Sequence, residues 1–205
     1  MRVFRGLGCN VVALALLFAL VTPAAGVEFA AGGGSFFPWD GDSGPSVLGQ
    51  VGGRVKENWR LLGEFEYRDY STELLGVDNV DIRGYGLRFI AHYMFLPEGV
   101  VNPYVGAGVG LTLQDLDEGK VERVLEQTFG SADVTPVALS VALMGILGLE
   151  VPLGDHFALF GEGRVGADIA LSRTEVDTGN GNSDDNLDTE NLGGLHAIGG
   201  LRVRW

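Results

Sequence analysis

The feature that most constrains the fold is a two-residue alternation of apolar and polar side chains. It recurs in eight segments of roughly ten residues, and in each of them the odd-numbered positions are apolar. Strict alternation predicts β-strands with two unlike faces. The clearest segment is the last, which carries Leu201, Val203 and Trp205 on one face and His196, Arg202 and Arg204 on the other. The eight segments are 27–37, 47–56, 59–70, 82–95, 103–114, 135–151, 156–171 and 193–205.

The amino terminus has the composition of a cleaved export signal. Arg2 and Arg5 precede the apolar run from Val11 to Val21, and small residues follow at 24–26. We therefore expect residues 1–26 to be a secretory signal peptide and 27–205 to form one domain. An uncleaved membrane anchor is the weaker alternative, because the apolar run is too short to span a bilayer. Cys9, the only cysteine, would leave with the signal.

The two faces of the segments distinguish a membrane barrel from a soluble β-sandwich, which also alternates. The apolar faces carry aromatic residues near the segment ends, as in the girdles of transmembrane barrels. The opposite faces carry glycines and charged residues, which are poor material for a dry sandwich core. The aromatic residues are Phe37, Trp59, Tyr67, Tyr85, Tyr93, Phe95, Phe157 and Trp205. The sequence predicts an all-β fold, an eight-stranded antiparallel up-and-down transmembrane β-barrel, since only closure satisfies every backbone group in lipid.

The connections between segments alternate between short and long, and the long ones are acidic. The long connections 38–46, 69–81, 115–133 and 172–192 hold 18 acidic and three basic residues, a net charge of −15. Short periplasmic turns and longer external loops are typical of outer-membrane barrels. The whole chain has a net charge of −13, which excludes nucleic acid as a partner because phosphate neutralisation needs a basic surface.

Two strand motifs resemble the outer-membrane β-barrel superfamily that includes the OmpA transmembrane domain and the opacity-type proteins. They are Pro103-Tyr-Val-Gly-Ala-Gly-Val-Gly110 and Phe160-Gly-Glu-Gly-Arg164. The first is not a dinucleotide fingerprint, since residue 111 is leucine where that motif requires glycine. The resemblance implies an outer-membrane location and contact with lipid and lipopolysaccharide. The terminal Val203-Arg-Trp205 resembles the signal that the barrel-assembly machinery reads.

The even-numbered charges predict an interior network. Symmetric hairpins place Glu64 opposite Arg88, Glu162 opposite Arg202 and Asp168 opposite His196, and Arg164 belongs to the same face. Opposite charges across strands stabilise each other, and each would be costly inside a barrel without its partner. The favoured interpretation is a structural network, and the alternative is a switchable ion gate.

Two long connections contain further candidate features. Residues 177–188 are rich in side-chain oxygens but fail the EF-hand pattern. The weak candidate ligands for a divalent cation are Asp177, Asp184, Asp185 and Asp188. In 115–133, an apolar stripe of helical period predicts a small rim helix or a patch for an external partner. The stripe consists of Val121, Val124, Leu125 and Phe129.

The sequence favours a monomeric outer-membrane protein with a structural or surface-interaction role and no cofactor. A narrow channel for ions or small solutes is the first alternative. A lipid A-modifying enzyme is the second, by analogy with barrel deacylases and palmitoyl transferases. Such an enzyme would need a serine beside a histidine, and none of His92, His156 and His196 has a serine two positions away.

Overall fold

The computed structural model describes residues 26–74, 77–116, 137–170 and 193–205, and these residues form eight strands. Their bounds are β1 Val27–Pro38, β2 Gly44–Lys56, β3 Trp59–Leu74, β4 Val77–Met94, β5 Asn102–Leu116, β6 Val137–Pro152, β7 Phe157–Ala170 and β8 Gly194–Arg204. Each strand coincides with one of the predicted alternating segments. No helix among the described residues has the length and apolar character needed to cross a membrane.

The strands close into one antiparallel barrel, as predicted. Each strand pairs with its neighbours in the chain, and β1 closes the sheet against β8. The closing register places Phe29 opposite Val203 and Phe37 opposite Leu195. The Trp205 amide donates to the Val27 carbonyl at 3.1 Å, which extends the closure past the end of β8. Closure removes the free edges that an open sheet would present.

The odd-numbered side chains face outward and the even-numbered ones face inward. Along β7, Leu159 and Val165 are about half exposed, while Glu162 and Arg164 are buried. The exterior is therefore apolar and the interior polar, the reverse of a soluble barrel. In β6, where the inward face is least polar, Met144 and Ile146 join a buried apolar cluster. The other members of that cluster are Leu62, Ile90, Met94 and Tyr104.

Outward aromatic residues lie near both ends of the barrel. At one end Trp59 packs edge-on against Tyr93 at 5.3 Å between ring centroids, and Phe29 packs against Trp205 at 5.8 Å. At the other end Tyr67 and Tyr85 lie 5.4 Å apart. Aromatic rings prefer the membrane–water interface, so these two groups mark the edges of the lipid-facing band.

The short and long connections lie at opposite ends of the barrel. Residues 57–58, 95–101 and 153–156 connect strands at what we call the short-turn end. The β3–β4 hairpin at the other, long-connection end differs from its prediction, because the strands run on to Leu74 and Val77 and absorb most of 69–81. The predicted rim helix around 121–129 and the oxygen-rich segment 177–188 lie outside the described residues.

Inward glycines make room for neighbouring large side chains, as their even positions predict. A Cβ atom on Gly148 would lie 2.3–2.6 Å from ring atoms and the hydroxyl of Tyr104. Tyr104 is fully buried and donates its hydroxyl to Glu162 at 2.7 Å, so it has no freedom to withdraw. A Cβ on Gly84 would likewise lie 2.7 Å from Arg68 Nε. The glycines are thus part of the packing of the interior.

We predict that Gly148→Ala destabilises the barrel by about 1–3 kcal/mol, because the added methyl group overpacks the interior beside Tyr104. The measurement is the urea midpoint of tryptophan fluorescence for the barrel in detergent micelles. Gly163→Ala is the matched control, since Gly163 faces outward and an added methyl group would meet no described atom within 4 Å. Equal midpoints for the two variants would contradict the packing role.

Candidate functional site

The barrel interior is the candidate site, because it gathers most of the buried charges of the described residues. Glutamate, aspartate, arginine and histidine side chains point inward from six strands and are almost fully buried. They form three layers along the barrel axis: a short-turn layer, a central layer and a long-connection layer. Burying this many charges is unfavourable unless each is paired and hydrogen-bonded, so the contacts within each layer determine what the interior can do.

The central layer is built around a fork between Arg164 and Glu64. Arg164 donates from its two terminal nitrogens to the two Glu64 oxygens at 2.8 and 2.7 Å, and its Nε donates to Glu162 at 2.7 Å. Arg88 contacts Glu64 at 3.3 Å and also bonds Glu66. Bidentate arginine–carboxylate pairs are among the strongest charge-assisted hydrogen bonds. Two arginines and three glutamates therefore form one connected group.

The fork crosses the lumen. Glu64 lies on β3 and Arg164 on β7, and these strands are on opposite walls of an eight-stranded barrel. Two further ion pairs span the lumen: Arg68 on β3 pairs with Asp168 on the opposite strand β7, and Arg60 on β3 pairs with Glu150 on β6, three strands away, at 3.1 Å. Charged side chains of β3 thus reach the far wall at three heights. An eight-stranded barrel is just narrow enough for side chains to fill.

The short-turn layer contains more arginines than acids. Glu28 and Glu150 lie among four inward arginines, at N–O distances of 2.7 to 3.8 Å for the Glu28 pairs. Arg202 also donates to Gln50 at 3.0 Å, and Gln50 in turn donates to Glu64 at 2.9 Å. This chain of hydrogen bonds links the short-turn layer to the central layer. The four arginines are Arg54, Arg60, Arg202 and Arg204.

The long-connection layer combines an ion pair with aromatic rings. The Arg68 guanidinium, paired with Asp168, lies 4.6 Å from the centroid of the Phe36 ring and 5.5 Å from that of Tyr70. His196 Nδ1 lies 2.9 Å from Glu66 and its ring packs against Phe36 at 4.7 Å. Cation–π contact stabilises a buried guanidinium beyond its ion pair. This layer lies across the lumen below the long connections.

The predicted neighbour pairs are partly correct. Glu64 lies opposite Arg88, as predicted. In the last hairpin the register differs: Glu162 lies opposite Ile198, Arg202 lies opposite Ala158, and His196 lies opposite Arg164. The predictions that Glu162 faces Arg202 and that Asp168 faces His196 are therefore wrong.

The error in the last hairpin has a physical cause. The prediction assumed a symmetric connection between β7 and β8, but tight turns fix register and long connections do not. Paired residue numbers sum to 360, as for Phe157 and Val203, instead of the assumed value near 364. Because the side-chain period is two, this shift of four leaves every inward residue facing inward.

Several inward charges were missing from the predicted pairs, including Glu28, Arg60, Glu66, Arg68 and Glu150. All occupy even positions of predicted strands, so the alternation placed them on the inward face. The sequence prediction considered only residues directly opposite each other on neighbouring strands. It therefore found no partner for these charges, whose contacts cross the lumen or run diagonally between strands. The signal that could have found them is the diameter of the predicted barrel, which is short enough for an arginine to span.

The histidines do not form a nucleophilic site with a serine among the described residues. Ser46 donates to Glu66 at 2.6 Å, and His196 contacts the same carboxylate. The acid therefore stands between serine and histidine, whereas a triad needs the histidine in the middle. His92 is buried beside Tyr104, and exposed His156 contacts the Arg204 carbonyl at 3.2 Å.

The remaining predicted site residues lie at the ends of the chain's strands or outside the described part. Asp177, Asp184, Asp185 and Asp188 belong to the undescribed segment 171–192, so the cation site stays a prediction. Within the described ranges, no three acidic, histidine or cysteine side chains gather in an arrangement that could hold a metal. Val203 pairs with Phe29, and Trp205 is 71% exposed on the exterior. Its role as an assembly signal stays a prediction.

The fold is similar to that of solved outer-membrane proteins. Neisserial surface protein A matches with a TM-score of 0.59 and 17% identity, over 89% of this chain and 98% of that one. OprG from Pseudomonas aeruginosa matches with a TM-score of 0.59 and 16% identity, over 89% and 96%. A major outer membrane protein from Thermus thermophilus matches with a TM-score of 0.51 and 14% identity, over 89% and 100%.

These similarities establish the fold and leave the activity open. No protein-family model matches the sequence, and neither does any curated protein. The chain has the fold of the small eight-stranded outer-membrane barrels, in line with the resemblance seen in its strand motifs. Its apolar exterior between two aromatic girdles requires lipid around it, and with this fold that places the protein in the outer membrane.

We predict that Arg164→Met destabilises the barrel by about 3–5 kcal/mol, because it leaves Glu64 and Glu162 buried without their shared partner. Adding Glu64→Gln should recover part of that loss, since it removes one of the stranded charges. Urea midpoints of the single and double variants in detergent give the comparison. Arg83→Met, at an exposed outward arginine, is the matched control and should cost less than about 1 kcal/mol. An additive double variant would contradict the fork.

Proposed function

We propose that the protein is a closed outer-membrane scaffold that presents its acidic long connections at the cell surface. The observation that carries the proposal is the crossing of the lumen by ion pairs at three heights, Arg60–Glu150, Arg164–Glu64 and Arg68–Asp168. A barrel closed in this way offers rigidity and a surface. In this proposal, partners at the cell surface bind to the long connections at that end of the barrel.

The contacts of the interior favour a closed scaffold over a narrow channel. The Arg164, Glu64 and Glu162 side chains have no solvent exposure, and each is held by more than one partner. Opening a path would require several buried charges to separate together, and each separated charge would be left without compensation. A gate needs an open and a closed state that differ in free energy by only a few kcal/mol. Because several ion pairs cross this lumen, breaking any one of them would not open a path.

The charge distribution supports a surface role for the long connections. Their 18 acidic and three basic residues hold the imbalance of the chain, whereas the interior charges are nearly matched. Asp40, Asp42, Asp69 and Asp81 lie in the described part of this end, where the Asp42 amide donates to the Ser71 carbonyl at 2.9 Å and Ser71 Oγ to Asp81 at 2.9 Å. Carboxylates suit hard divalent cations, which can bridge them to lipopolysaccharide phosphates.

We predict that the purified barrel shows no steady single-channel conductance in planar bilayers. Arg88→Ala should leave this baseline unchanged, because Arg164 still holds Glu64 from the opposite wall after Arg88 is removed. The control is Arg83→Ala, which removes an exposed arginine from the same strand. Steady conductance that rises in Arg88→Ala but not in the control would overturn the closed scaffold and favour the ion-gated channel.

We also predict that the acidic connections bind divalent cations. Changing Asp177, Asp184, Asp185 and Asp188 to asparagine should weaken calcium binding and calcium-dependent association with purified lipopolysaccharide, because it removes four carboxylates while keeping the length. Isothermal titration calorimetry of the barrel in detergent measures both. Glu57→Gln with Asp155→Asn, in exposed short turns, is the control. Unchanged binding in the four-asparagine variant would remove segment 177–188 from the proposal.

A further inference from the structure

The short-turn layer holds more positive charge than its own carboxylates can neutralise. Arg54, Arg60, Arg202 and Arg204 surround Glu28 and Glu150, which leaves an excess of two positive charges. In the described part of the chain no other carboxylate lies within ion-pair distance of these guanidiniums. Buried unpaired charge is strongly unfavourable, so the excess calls for a counter-ion.

The hydrogen bonds of this layer show the same deficit. A guanidinium offers about five N–H donors and a carboxylate accepts about four hydrogen bonds, so donors far outnumber acceptors here. Among the described residues, Arg60 Nη1 has no hydrogen-bond partner although the side chain is completely buried. Arg54 Nε and Arg204 Nε also lack a hydrogen-bond partner within the described ranges, and they lie 3.8 and 3.7 Å from Glu28 Oε1. Native interiors satisfy such donors almost without exception.

The layer is accessible from one side only. The Arg54 and Arg204 side chains are 27% and 18% exposed at the short-turn end, whereas Arg60 and Arg202 lie fully buried behind them. The nearby turn charges Lys56, Glu57, Glu98 and Asp155 are exposed to solvent. Such exposed charges are screened by water and salt and do not neutralise buried guanidiniums.

We propose that the short-turn arginines form a binding site for one phosphate group, with Arg54 and Arg204 at its entrance and Arg60 behind them. Planar guanidinium donors match phosphate oxygens bidentately. Inorganic phosphate, like a phosphate monoester, carries about −1.5 to −2 charge at neutral pH, which matches the excess of two, whereas a phospholipid phosphodiester carries about −1 and neutralises half of it. The group can come from soluble phosphate or from a phospholipid headgroup, since Trp59 and Trp205 mark the membrane interface at this end. The site is independent of the surface role of the long connections.

The first experiment uses the folded barrel in dodecyl maltoside, a detergent without phosphate. Inorganic phosphate titrated by calorimetry should bind saturably at one site, and acetate should bind more weakly. Arg54→Gln and Arg204→Gln should each weaken phosphate binding about tenfold or more, because each removes charged hydrogen bonds. Lys56→Gln, which removes an exposed lysine at the same end, should change it less than about twofold.

Thermal unfolding separates a binding role from a merely structural one. In phosphate-free buffer, Arg54→Gln should unfold at the same or a higher temperature than the wild type, because it relieves excess charge. Added phosphate should then stabilise the wild type more than the variant. An arginine needed only for the fold would instead lower the unfolding temperature without phosphate and leave the phosphate effect unchanged, and that result would overturn the proposal.

A second arm identifies the source of the phosphate group. If a lipid headgroup occupies the site, soluble phosphate will bind in detergent but not in phospholipid nanodiscs. Native mass spectrometry will then show a lipid retained by the wild type and lost from Arg204→Gln. If soluble phosphate is the ligand, it will bind equally in both. Absence of saturable phosphate binding in detergent, or equal weakening by Lys56→Gln, would refute the site.

Discussion

The structure depends on one constraint: in lipid, every backbone donor and acceptor needs a partner inside the protein. A sheet meets it only by closing, and here β1 closes against β8 from Glu28–Arg204 to Pro38–Gly194. With eight strands, closure leaves an interior as wide as two side chains meeting from opposite walls. The charged interior, the inward glycines and the contacts across the lumen all follow from that diameter.

Inside so narrow a barrel, large and small residues have to alternate in space. Arg68 lies over Gly84, Arg88 over Gly86 and Gly110, and Tyr104 over Gly148, where a Cβ atom would lie 2.3 to 2.9 Å from the neighbouring side chain. Each of these glycines thus permits a long side chain beside it, on a neighbouring strand or, for Gly86, two residues along the same strand. The long side chains then reach across the lumen, which explains why Arg164 bonds Glu64 on the far wall.

The alternation of the sequence predicted the architecture because the apolar face of each strand is the one that meets lipid. A register shift by an even number of residues leaves the same side chains facing inward. It could not predict contacts that depend on register across a long connection or on the diameter of the closed barrel. Glu64 and Arg88 were paired correctly because the β3–β4 hairpin is nearly symmetric. Arg202 was assigned to Glu162, whereas its partners are Glu28, Glu150 and Gln50.

The three layers differ in charge balance, and this difference separates structure from function. In the long-connection layer the charges balance, because Arg68 pairs with Asp168. The central layer has three glutamates and two arginines, and His196 contacts one of those glutamates, Glu66. Among the described residues, only the short-turn layer carries excess positive charge, and only there are inward arginines partly open to solvent. Charges that serve the fold alone can be paired within the barrel. An excess of positive charge at an accessible mouth is stabilised further when an anion from outside the chain completes it, so binding is assigned to these arginines and the enclosed ion pairs are assigned to the fold.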